Sequence, residues 1–378
     1  MQICSRCIYD TRISNIIFDS NGECNYCKMS DSLAEQYGTG TNKGEALFKG
    51  IINEIKDAGK NKKYDCVVGV SGGVDSSYLL HYCCMTGLRP LAVHYDNTWN
   101  SAIASENIRK VTTALNIDLY THVVANKESD DIFKSFFLAG VPEIDAATDL
   151  GFAETHYRAA AKYGIRYILE GHSFIEEGVS PLNTMYFDGK YISSIHKRFG
   201  TIPLKTYPLM DFWSFIKWTV LKRIRKIRPY WYISYSKKSA IELLEEKYGW
   251  KYYGGHHLEN RMSAFMHSYY LPKKFNIDQR NNSLSALARN GAISRGEALE
   301  RYSEAPYLEP ELLKYFIKRL NLSDTEFENI MAALPKTYEA YPTYKKVFEI
   351  LKPVFYSLAK ANLVPMSFYV KYCNKKGI

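Results

Sequence analysis

Residues 64–77, YDCVVGVSGGVDSS, decide the fold of this chain. The apolar run Cys66–Val70 predicts a buried strand, and a glycine-rich turn separates it from a helix that opens at Asp75. Glycines let the backbone approach a ligand closely, and a helix start offers unpaired N–H groups to a phosphate. Asp and Ser also cap helices, so a plain capped turn is the alternative. The Walker A lysine and a GxGxxG pattern are both missing, which excludes the two commonest phosphate loops.

Ser-Gly-Gly-Xaa-Asp-Ser after a strand resembles the pyrophosphate loop of the PP-loop ATP pyrophosphatases. Enzymes of that superfamily cleave ATP between its α and β phosphates and transfer AMP to a carbonyl oxygen of the substrate. The resemblance implies that Asp75 is a catalytic residue close to Mg²⁺ and the nucleotide. It also implies that the pyrophosphate is held by the small residues of the loop, Ser71, Gly72, Gly73, Ser76 and Ser77.

Short apolar runs alternate with helical stretches from residue 64 to about residue 209. This alternation predicts an α/β fold, a Rossmann-like parallel sheet of the adenine nucleotide alpha hydrolase type, covered on both faces. The predicted strands are Cys66–Val70, Pro90–Tyr95, Asp118–Val124 and Tyr167–Leu169. The predicted helices are Glu45–Ala58, Asp75–Thr86, Ala102–Leu115, Thr155–Tyr163, Glu297–Tyr302, Leu312–Leu320 and Tyr344–Ala361.

Polar residues follow two further predicted strands, where ligands of open parallel sheets usually bind. Asp96 and Asn97 end one strand and are candidates for the ribose or base of ATP. Gly171 and His172 end another and resemble the second motif of the superfamily, which adds them to the ATP-binding candidates. The acids that follow, Glu176 and Glu177, are candidate Mg²⁺ ligands, and the alternative for them is an exposed loop face.

The N-terminus contains two cysteine pairs, Cys4 with Cys7 and Cys24 with Cys27, separated by a spacing typical of Cys₄ zinc sites. Four thiolates close the coordination shell, so the predicted Zn²⁺ is structural. A redox or sulfur-carrying role is the alternative.

The composition is that of a globular protein, with 46% hydrophobic and 24% charged residues and a net charge of +9 that favours phosphate-bearing partners. We expect a cytoplasmic protein, because neither a secretory signal nor a membrane span is evident. Six positive charges fall between Lys217 and Arg228. This basic segment fits a membrane surface, a nucleic-acid backbone, an acidic partner or a helix covering the sheet.

The whole pattern resembles the N-acetyl sugar amidotransferases of surface-polysaccharide pathways. The segments that carry this resemblance, besides the cysteine pairs and the loop, are His94–Asn100, 116–122, Ile195–Gly200, Gly249–Gly255 and Leu271–Asp278. Such enzymes are understood to convert a sugar acetamido group into an acetamidino group, for lipopolysaccharide O-antigen, capsule or flagellar glycans, including sugars of the pseudaminic acid type. Lys197 and Lys274 are then candidate catalytic cations that would bind phosphate.

The resemblance also implies that ammonia comes from a separate glutaminase through a cyclase-like subunit, since this chain has no cysteine in a glutaminase setting. Four positions depart from the family pattern and concern the sugar side: His256, Ala264, Gln279 and Ser283. A PP-loop enzyme of tRNA modification is the alternative function, although no RNA-binding module is recognisable.

We therefore predict five parts of the chain. They are a zinc knuckle (1–32), a connecting helix (33–63), the PP-loop domain (64–209), a basic and aromatic segment for substrate or partner (210–290) and a helical C-terminal region (291–378).

Overall fold

The computed structural model describes residues 1–179, 181, 185–255, 258–361 and 363–373. Its strands are β1 Cys66–Gly69, β2 Pro90–Asp96, β3 Leu119–Val123, β4 Tyr167–Leu169 and β5 Arg225–Ile227. The helices up to the last strand are α1 Asn25–Tyr37, α2 Asn42–Gly59, α3 Val74–Met85, α4 Ala102–Ala114, α5 Asn126–Ala139, α6 Ala146–Lys162, α7 Gly189–Phe199 and α8 Phe212–Ile216. The helices after it are α9 Lys237–Tyr248, α10 Arg261–Phe265, α11 Arg280–Arg289, α12 Arg295–Ser303, α13 Leu312–Arg319, α14 Asp324–Ala332, α15 Lys345–Ile350, α16 Lys352–Lys360 and α17 Met366–Tyr372.

The strands form one parallel sheet in the order β3-β2-β1-β4-β5. All four residues of β1 are buried, because this strand is central and helices cover both faces. Val67 pairs with Leu91 on one side and with Ile168 on the other. The predicted parallel α/β sheet, with its strand–loop–helix start, is therefore confirmed, and the four predicted strands are its first four.

The seven predicted helices are present, two of them with different bounds, and the predictions omit several other helices, among them α1, α5, α7, α9, α11 and α14. In α5 the buried polar residues Glu128, Ser129 and Ser135 interrupt the apolar stripe. Helix α6 begins at Ala146, nine residues before the predicted start at Thr155. The predicted helix Tyr344–Ala361 is two helices, since Pro353 stands in the first turn of α16, where its missing N–H is tolerated.

The basic segment is not one helix covering the sheet. Its first part continues α8 as a π-helical turn, Lys217–Leu221, and its second part is the edge strand β5. Lys226 and Arg228 both pair with Glu170, at 2.5 and 3.4 Å. Burial raises the pKa of Glu170, but these two cations outweigh it and hold that pKa well below its usual range. The sheet thus extends past residue 209, the predicted limit of the PP-loop domain.

The C-terminal region is mostly helical, as predicted. Its helices α10, α13 and α14 share a core with α5 and α7, in which Phe265, Phe316 and Phe327 pack against Phe137. Within the described part of the chain, every helix is either too short or too polar to cross a bilayer.

Candidate active site

The turn after β1 is shaped by Gly72, which has a φ of +84°. A Cβ at Gly72 would lie 2.2 Å from the carbonyl oxygen of Ala104, in the backbone of α4. The carbonyl of Gly72 accepts hydrogen bonds from Trp250 Nε1 at 3.1 Å and Asn107 Nδ2 at 3.4 Å. Only glycine fits this position, because a side chain would meet both backbone strain and a backbone atom.

The start of α3 has a glycine at its N-cap, so the N-cap residue supplies no capping side chain. The hydroxyl of Tyr253 accepts the backbone N–H of Val74, the first residue of the helix. The hydroxyls of Ser71 and Ser76 hold the turn instead: Gly73 N–H donates to Ser71 Oγ, and Ser76 Oγ donates to the carbonyl of Gly73, both at 3.3 Å. Ser77 is buried. Tyr253 occupies one backbone N–H of this helix start, and phosphate binding by the other N–H groups of the turn stays a prediction.

Asp75 is surrounded by residues from the segment after β5. Tyr235 donates its hydroxyl to Oδ1 at 2.5 Å, and Lys237 Nζ lies 3.0 Å from Oδ2. Tyr230 donates to the carbonyl oxygen of Asp75 at 2.8 Å. The rings of Tyr230 and Tyr235 are stacked, with centroids 3.9 Å apart and 6° between planes. The carboxylate of Asp75 is thus fixed by one ion pair and one stacked tyrosine.

The loop after β4 approaches the same place. A Cβ at Gly171 would lie 3.0 Å from the backbone of Asp75, so the two segments are in contact. Glu176 Oε1 accepts the backbone N–H of Lys237 at 3.2 Å. His172 Nε2 lies 3.6 Å from Glu177 Oε2. The structure therefore brings together the predicted residues of the first loop and those of this second loop, which we call the acidic loop (171–179).

Burial and neighbouring charges shift the pKa values of the ionisable groups around Asp75. Burial raises the pKa of Glu176 above its ordinary value. Burial lowers the pKa of Lys237, but Asp75 and then Glu177 raise it further than burial lowers it. Carboxylates are ligands that Mg²⁺ accepts together with phosphate oxygens and water. Among the described residues, however, the four cysteines are the only group whose ligand atoms lie close enough together to hold a metal ion, so Mg²⁺ binding by Asp75, Glu176 and Glu177 stays a prediction.

The two candidates after β2 differ in exposure. Asp96 Oδ1 accepts the N–H of Thr98 at 2.7 Å and keeps partial exposure. Asn97 is buried, and its side chain bonds Thr148, the N–H of Trp99 and Asn260. Asn97 thus ties the end of β2 to α6 and α10, and its contact with ATP stays a prediction.

The two predicted catalytic lysines lie elsewhere. Lys197 is exposed on the last turn of α7, at a cleft of about 460 Å³ that the pyrophosphate loop does not line. Lys274 is buried, and its ammonium donates to the carbonyls of Ile330, Met331 and Ala333 at 2.6–3.3 Å. These bonds use every N–H of the ammonium to close the end of α14. These contacts give Lys274 a structural role in this fold and speak against its predicted role as a catalytic cation.

The four N-terminal cysteines form the predicted cluster. We call the segment that contains them, residues 1–32, the knuckle. Their Sγ atoms are buried and lie within 4.8 Å of one another. Three of the distances, Cys4–Cys27, Cys7–Cys24 and Cys24–Cys27, are 3.8, 3.7 and 3.6 Å. Thiolates bound tetrahedrally at about 2.3 Å from zinc would be separated by about 3.8 Å. The site could therefore hold a metal ion.

The four positions that depart from the family pattern lie in different settings. His256 is outside the described residues. Ala264 is buried in the helical core, and Ser283 Oγ donates to the carbonyl of Arg280 at 3.3 Å. Gln279 precedes α11, with Nε2 at 3.6 Å from Met185 Sδ.

Sequence reasoning missed five residues that contact the pyrophosphate loop: Tyr230, Tyr235, Lys237, Tyr253 and Glu259. Glu259 Oε1 accepts a hydrogen bond from Ser71 Oγ at 3.4 Å. The only available signal was the assignment of 210–290 to substrate or partner, which did not connect this segment with ATP.

Comparison with known proteins matches a C-terminal part of the chain to a family model. Residues 259–354 match the family model described as the C-terminal domain of WbpG-like LPS biosynthesis proteins. This part of the chain is WbpG-like. The resemblance drawn from the sequence is confirmed at that level. No curated protein matches the chain.

Several solved structures are similar to this chain at low identity and low TM-score. NMN synthetase from Francisella tularensis is 12% identical with a TM-score of 0.34, over 79% of this chain and 95% of that one. NH3-dependent NAD synthetase from Campylobacter jejuni subsp. jejuni is 14% identical with a TM-score of 0.30, over 82% and 98%. The U34-tRNA thiolase NcsA from Methanococcus maripaludis is 12% identical with a TM-score of 0.29, over 91% and 99%.

Proposed function

We propose that this protein is an ATP-dependent amidotransferase that converts the acetamido group of an N-acetyl sugar into an acetamidino group during lipopolysaccharide biosynthesis. The observation that carries the proposal is the glycine-rich start of α3, with Asp75 in contact with the acidic loop, in a chain whose C-terminal part is WbpG-like. The first feature supports ATP activation and the second supports a glycan substrate.

An amide carbonyl is a poor electrophile, and adenylation corrects this. The acetamido oxygen attacks the α phosphorus of ATP, the bond to the bridging oxygen of the β phosphate breaks, and pyrophosphate leaves. Ammonia then attacks the imidate carbon, and AMP departs with the former acetamido oxygen. The nitrogen loses a proton to solvent or is retained as an amidinium, so the products are an acetamidino sugar, AMP and pyrophosphate.

The residues of the chain serve the first step. The N–H groups at the start of α3 and the hydroxyls of Ser71 and Ser76 bind the departing pyrophosphate, and Gly72 keeps the backbone close enough to do so. Asp75, Glu176 and Glu177 would hold Mg²⁺, which supplies positive charge against the phosphates when bound. Positive groups placed where charge develops lower the barrier most.

The proposed enzyme also needs a source of ammonia and a metal ion in the knuckle. Ammonia would come from a separate glutaminase through a cyclase-like relay subunit, in the cytoplasm where ATP is available. The knuckle would hold Zn²⁺ as a structural ion, because four thiolates leave no open position for chemistry. With glutamine alone the isolated chain should be inactive, whereas ammonium salts should support turnover.

The test measures pyrophosphate release from Mg·ATP by the pure protein with ammonium chloride, comparing nucleotide-linked N-acetyl sugars with bulk tRNA. A sugar labelled with oxygen-18 in its acetamido group should deliver the label to AMP and give a product lighter by the difference between O and NH. Label retained in the sugar would contradict amidotransfer. Release that depends only on tRNA would favour the alternative of a tRNA-modifying enzyme.

The ion pairs made by the basic segment weaken the alternative of a tRNA-modifying enzyme. Of its six cations, Lys226 and Arg228 pair with Glu170, and Arg225 lies 3.6 Å from Glu54. Ion pairs with protein carboxylates leave less positive charge for a nucleic-acid backbone.

A further inference from the structure

Helix α8 and the π-helical turn that continues it expose large apolar side chains on their outer side. Trp213 keeps 72% of its surface exposed, and Leu221 keeps 73%. Lys217, which lies midway between them in sequence, is also exposed, whereas Trp218 and Thr219 are buried. Trp213, Lys217 and Leu221 follow one another at intervals of four residues, so one side of this segment faces solvent. Large apolar side chains on such a side indicate an interaction surface.

The charges on this segment are all positive. Lys217, Lys222 and Arg223 are exposed, and no carboxylate of the described residues forms an ion pair with them, in contrast to the three paired cations of the basic segment. The chain contains no Asp or Glu from residue 212 to residue 229. The acid that precedes α8, Asp211, caps the helix at the N–H of Ser214. The segment therefore complements a negatively charged partner.

The helices α15 and α16, which pack against α8, have a similar composition on their outer sides. Phe348 and Phe355 contact Phe212, with ring centroids 5.9 and 6.5 Å apart. The acid of α15, Glu349, is paired with Lys345 at 3.1 Å. The exposed apolar residues and lysines of these two helices are Lys346, Val347, Ile350, Lys352 and Val354. Apolar and cationic residues are thus exposed together on two segments that share one core.

We infer that α8, its π-helical turn and the outer sides of α15 and α16 form a surface that binds an anionic lipid bilayer. Tryptophan has an apolar ring and a polar N–H, and it prefers the boundary between lipid headgroups and acyl chains. Trp213 and Leu221 enter this boundary, while Lys222 and Arg223 bind the anionic headgroups. The inference goes beyond the proposed function and does not depend on it.

A bilayer fits these observations better than a nucleic acid or an acidic protein. A nucleic-acid backbone binds cations but offers Leu221 and Ile350 no apolar partner. An acidic protein would need an apolar pocket for each exposed side chain on both segments. The boundary region of a bilayer accepts apolar side chains at any position along its surface, and its headgroups supply the negative charge.

The test is sedimentation of the full-length protein with vesicles, without ATP or sugar. The vesicles consist of phosphatidylcholine alone or of phosphatidylcholine mixed with phosphatidylglycerol, which is anionic. One double variant, Trp213→Ser with Leu221→Ser, removes the apolar side chains, and another, Lys222→Gln with Arg223→Gln, removes two charges. Thermal unfolding shows that each variant is folded before its binding is measured.

Two matched controls separate this surface from general properties of the protein. Leu334→Ser removes an apolar side chain that is 86% exposed in another part of the chain. Lys49→Gln with Lys318→Gln removes the same number of charges from exposed positions on α2 and α13. The second control is needed because the net charge of +9 attracts any anionic surface to some extent.

We expect the unsubstituted protein to bind the vesicles that contain phosphatidylglycerol, and salt should weaken this binding. Each double variant should lower the partition coefficient by about tenfold or more, since each lost cation or apolar side chain contributes on its own. Both controls should bind like the unsubstituted protein.

Tryptophan fluorescence tests insertion directly. Lipids brominated on their acyl chains quench a tryptophan that enters the boundary region. The chain has five tryptophans, so the signal of Trp213 is the difference between the unsubstituted protein and Trp213→Phe. We expect this difference signal to be quenched. Adsorption through charge alone would leave it unchanged.

Three outcomes would overturn the inference. They are absence of binding to anionic vesicles, an equal loss of binding in the variants and their controls, and an unquenched Trp213. If vesicles do not bind and Trp213→Ser with Leu221→Ser loses only activity that depends on a glutaminase, the surface docks a protein and not a membrane. Because no measurement with vesicles uses ATP or sugar, failure here leaves the proposed function intact, and vesicle binding by a protein that modifies no sugar removes only the proposed function.

Discussion

The hydroxyl of Tyr9 donates a hydrogen bond to Oδ1 of Asn282 at 2.5 Å, which links the knuckle to α11. The same hydroxyl lies 3.3 Å from the carbonyl oxygen of Val179, at the end of the acidic loop. A Cβ at Gly178 would come within 2.7 Å of Asn282, so the acidic loop and α11 are in close contact. Knuckle, helix and acidic loop therefore meet at one point.

Two further bonds strengthen this link. Arg289, at the end of α11, donates to Sγ of Cys27 at 3.3 Å, and Asn290 donates to the carbonyl of Ile175 at 2.8 Å. Arg289 is buried, and a bond from a cation to a thiolate is of the stronger, charge-assisted kind. The cysteine cluster and the loop that carries Glu176 and Glu177 are thus attached to the same helix.

Removal of the knuckle metal, by a chelator or by Cys24→Ser, should loosen the acidic loop. We expect faster amide hydrogen exchange in the peptide that spans residues 173–179 and weaker binding of Mg·ATP, because the support from α11 is lost. Cys84→Ser is the control, as Cys84 lies on α3 and is only partly buried. Unchanged exchange in the loop after proven metal loss would show that the two are independent.

Gly72→Ala should prevent ATP binding. The added Cβ would meet the backbone oxygen of Ala104 at 2.2 Å in a conformation with positive φ, and the loop would have to move. Strain of this kind costs more than about 1 kcal/mol. Binding of α,β-methylene-ATP and thermal unfolding are the measurements.

Gly50→Ala provides the matched control for this substitution. Gly50 lies within α2, and its Cβ would have no neighbour within 4 Å. Alanine favours a helix over glycine by about 1 kcal/mol, so this variant should be slightly more stable and bind ATP normally. Normal nucleotide binding by Gly72→Ala would contradict the assigned loop geometry.

Lys274→Met should destabilise the fold without changing the chemistry. The carbonyls at the end of α14 lose their donor, and an unsatisfied buried acceptor costs about 1–3 kcal/mol in the free energy of unfolding. Denaturant unfolding measures this loss, with Lys273→Met at an exposed neighbouring position as the control. A large fall in kcat per folded molecule, with stability intact, would restore the catalytic assignment.

Glu143 should make stability depend on pH. Burial raises its pKa to about 7, although hydrogen bonds from the N–H of Tyr186 and the hydroxyl of Tyr191 lower it. The folded state therefore binds the proton more tightly than the unfolded state, whose carboxyl titrates near 4.5. The free energy of unfolding is therefore highest at pH values below the pKa that Glu143 has in the unfolded chain. It falls as the pH rises through the folded-state pKa, by on the order of 3 kcal/mol.

The variant Glu143→Gln tests this dependence, since glutamine keeps the size and the hydrogen-bonding ends of the side chain but cannot ionise. Compared with the unsubstituted protein, it should be more stable at pH 8 and similar at pH 5, by denaturant unfolding at each pH. A constant difference between the two proteins across this pH range would exclude Glu143 as the source.

The sheet could be predicted where each strand was a short apolar run that ended in a glycine or an acid, as at Cys66–Gly69. Strand β5 could not, because Arg225 and Lys226 are charged and their position depends on pairing with β4 and on Glu170. In the candidate site, the residues of the turn itself could be predicted, because one short sequence motif contains all of them. Tyr235 and Lys237 were not, since they reach Asp75 only through the tertiary fold.

The candidate ATP site contains residues from Ser71 to Glu259, and this wide separation in sequence affects how the site forms during synthesis. Synthesis proceeds from the N-terminus, and domains usually fold as their residues emerge. The pyrophosphate loop therefore leaves the ribosome long before Tyr235, Lys237 and Glu259, its later partners. A nascent or prematurely terminated chain would present the loop without its lysine and tyrosine, so the capacity to consume ATP arises only when most of the protein has been translated.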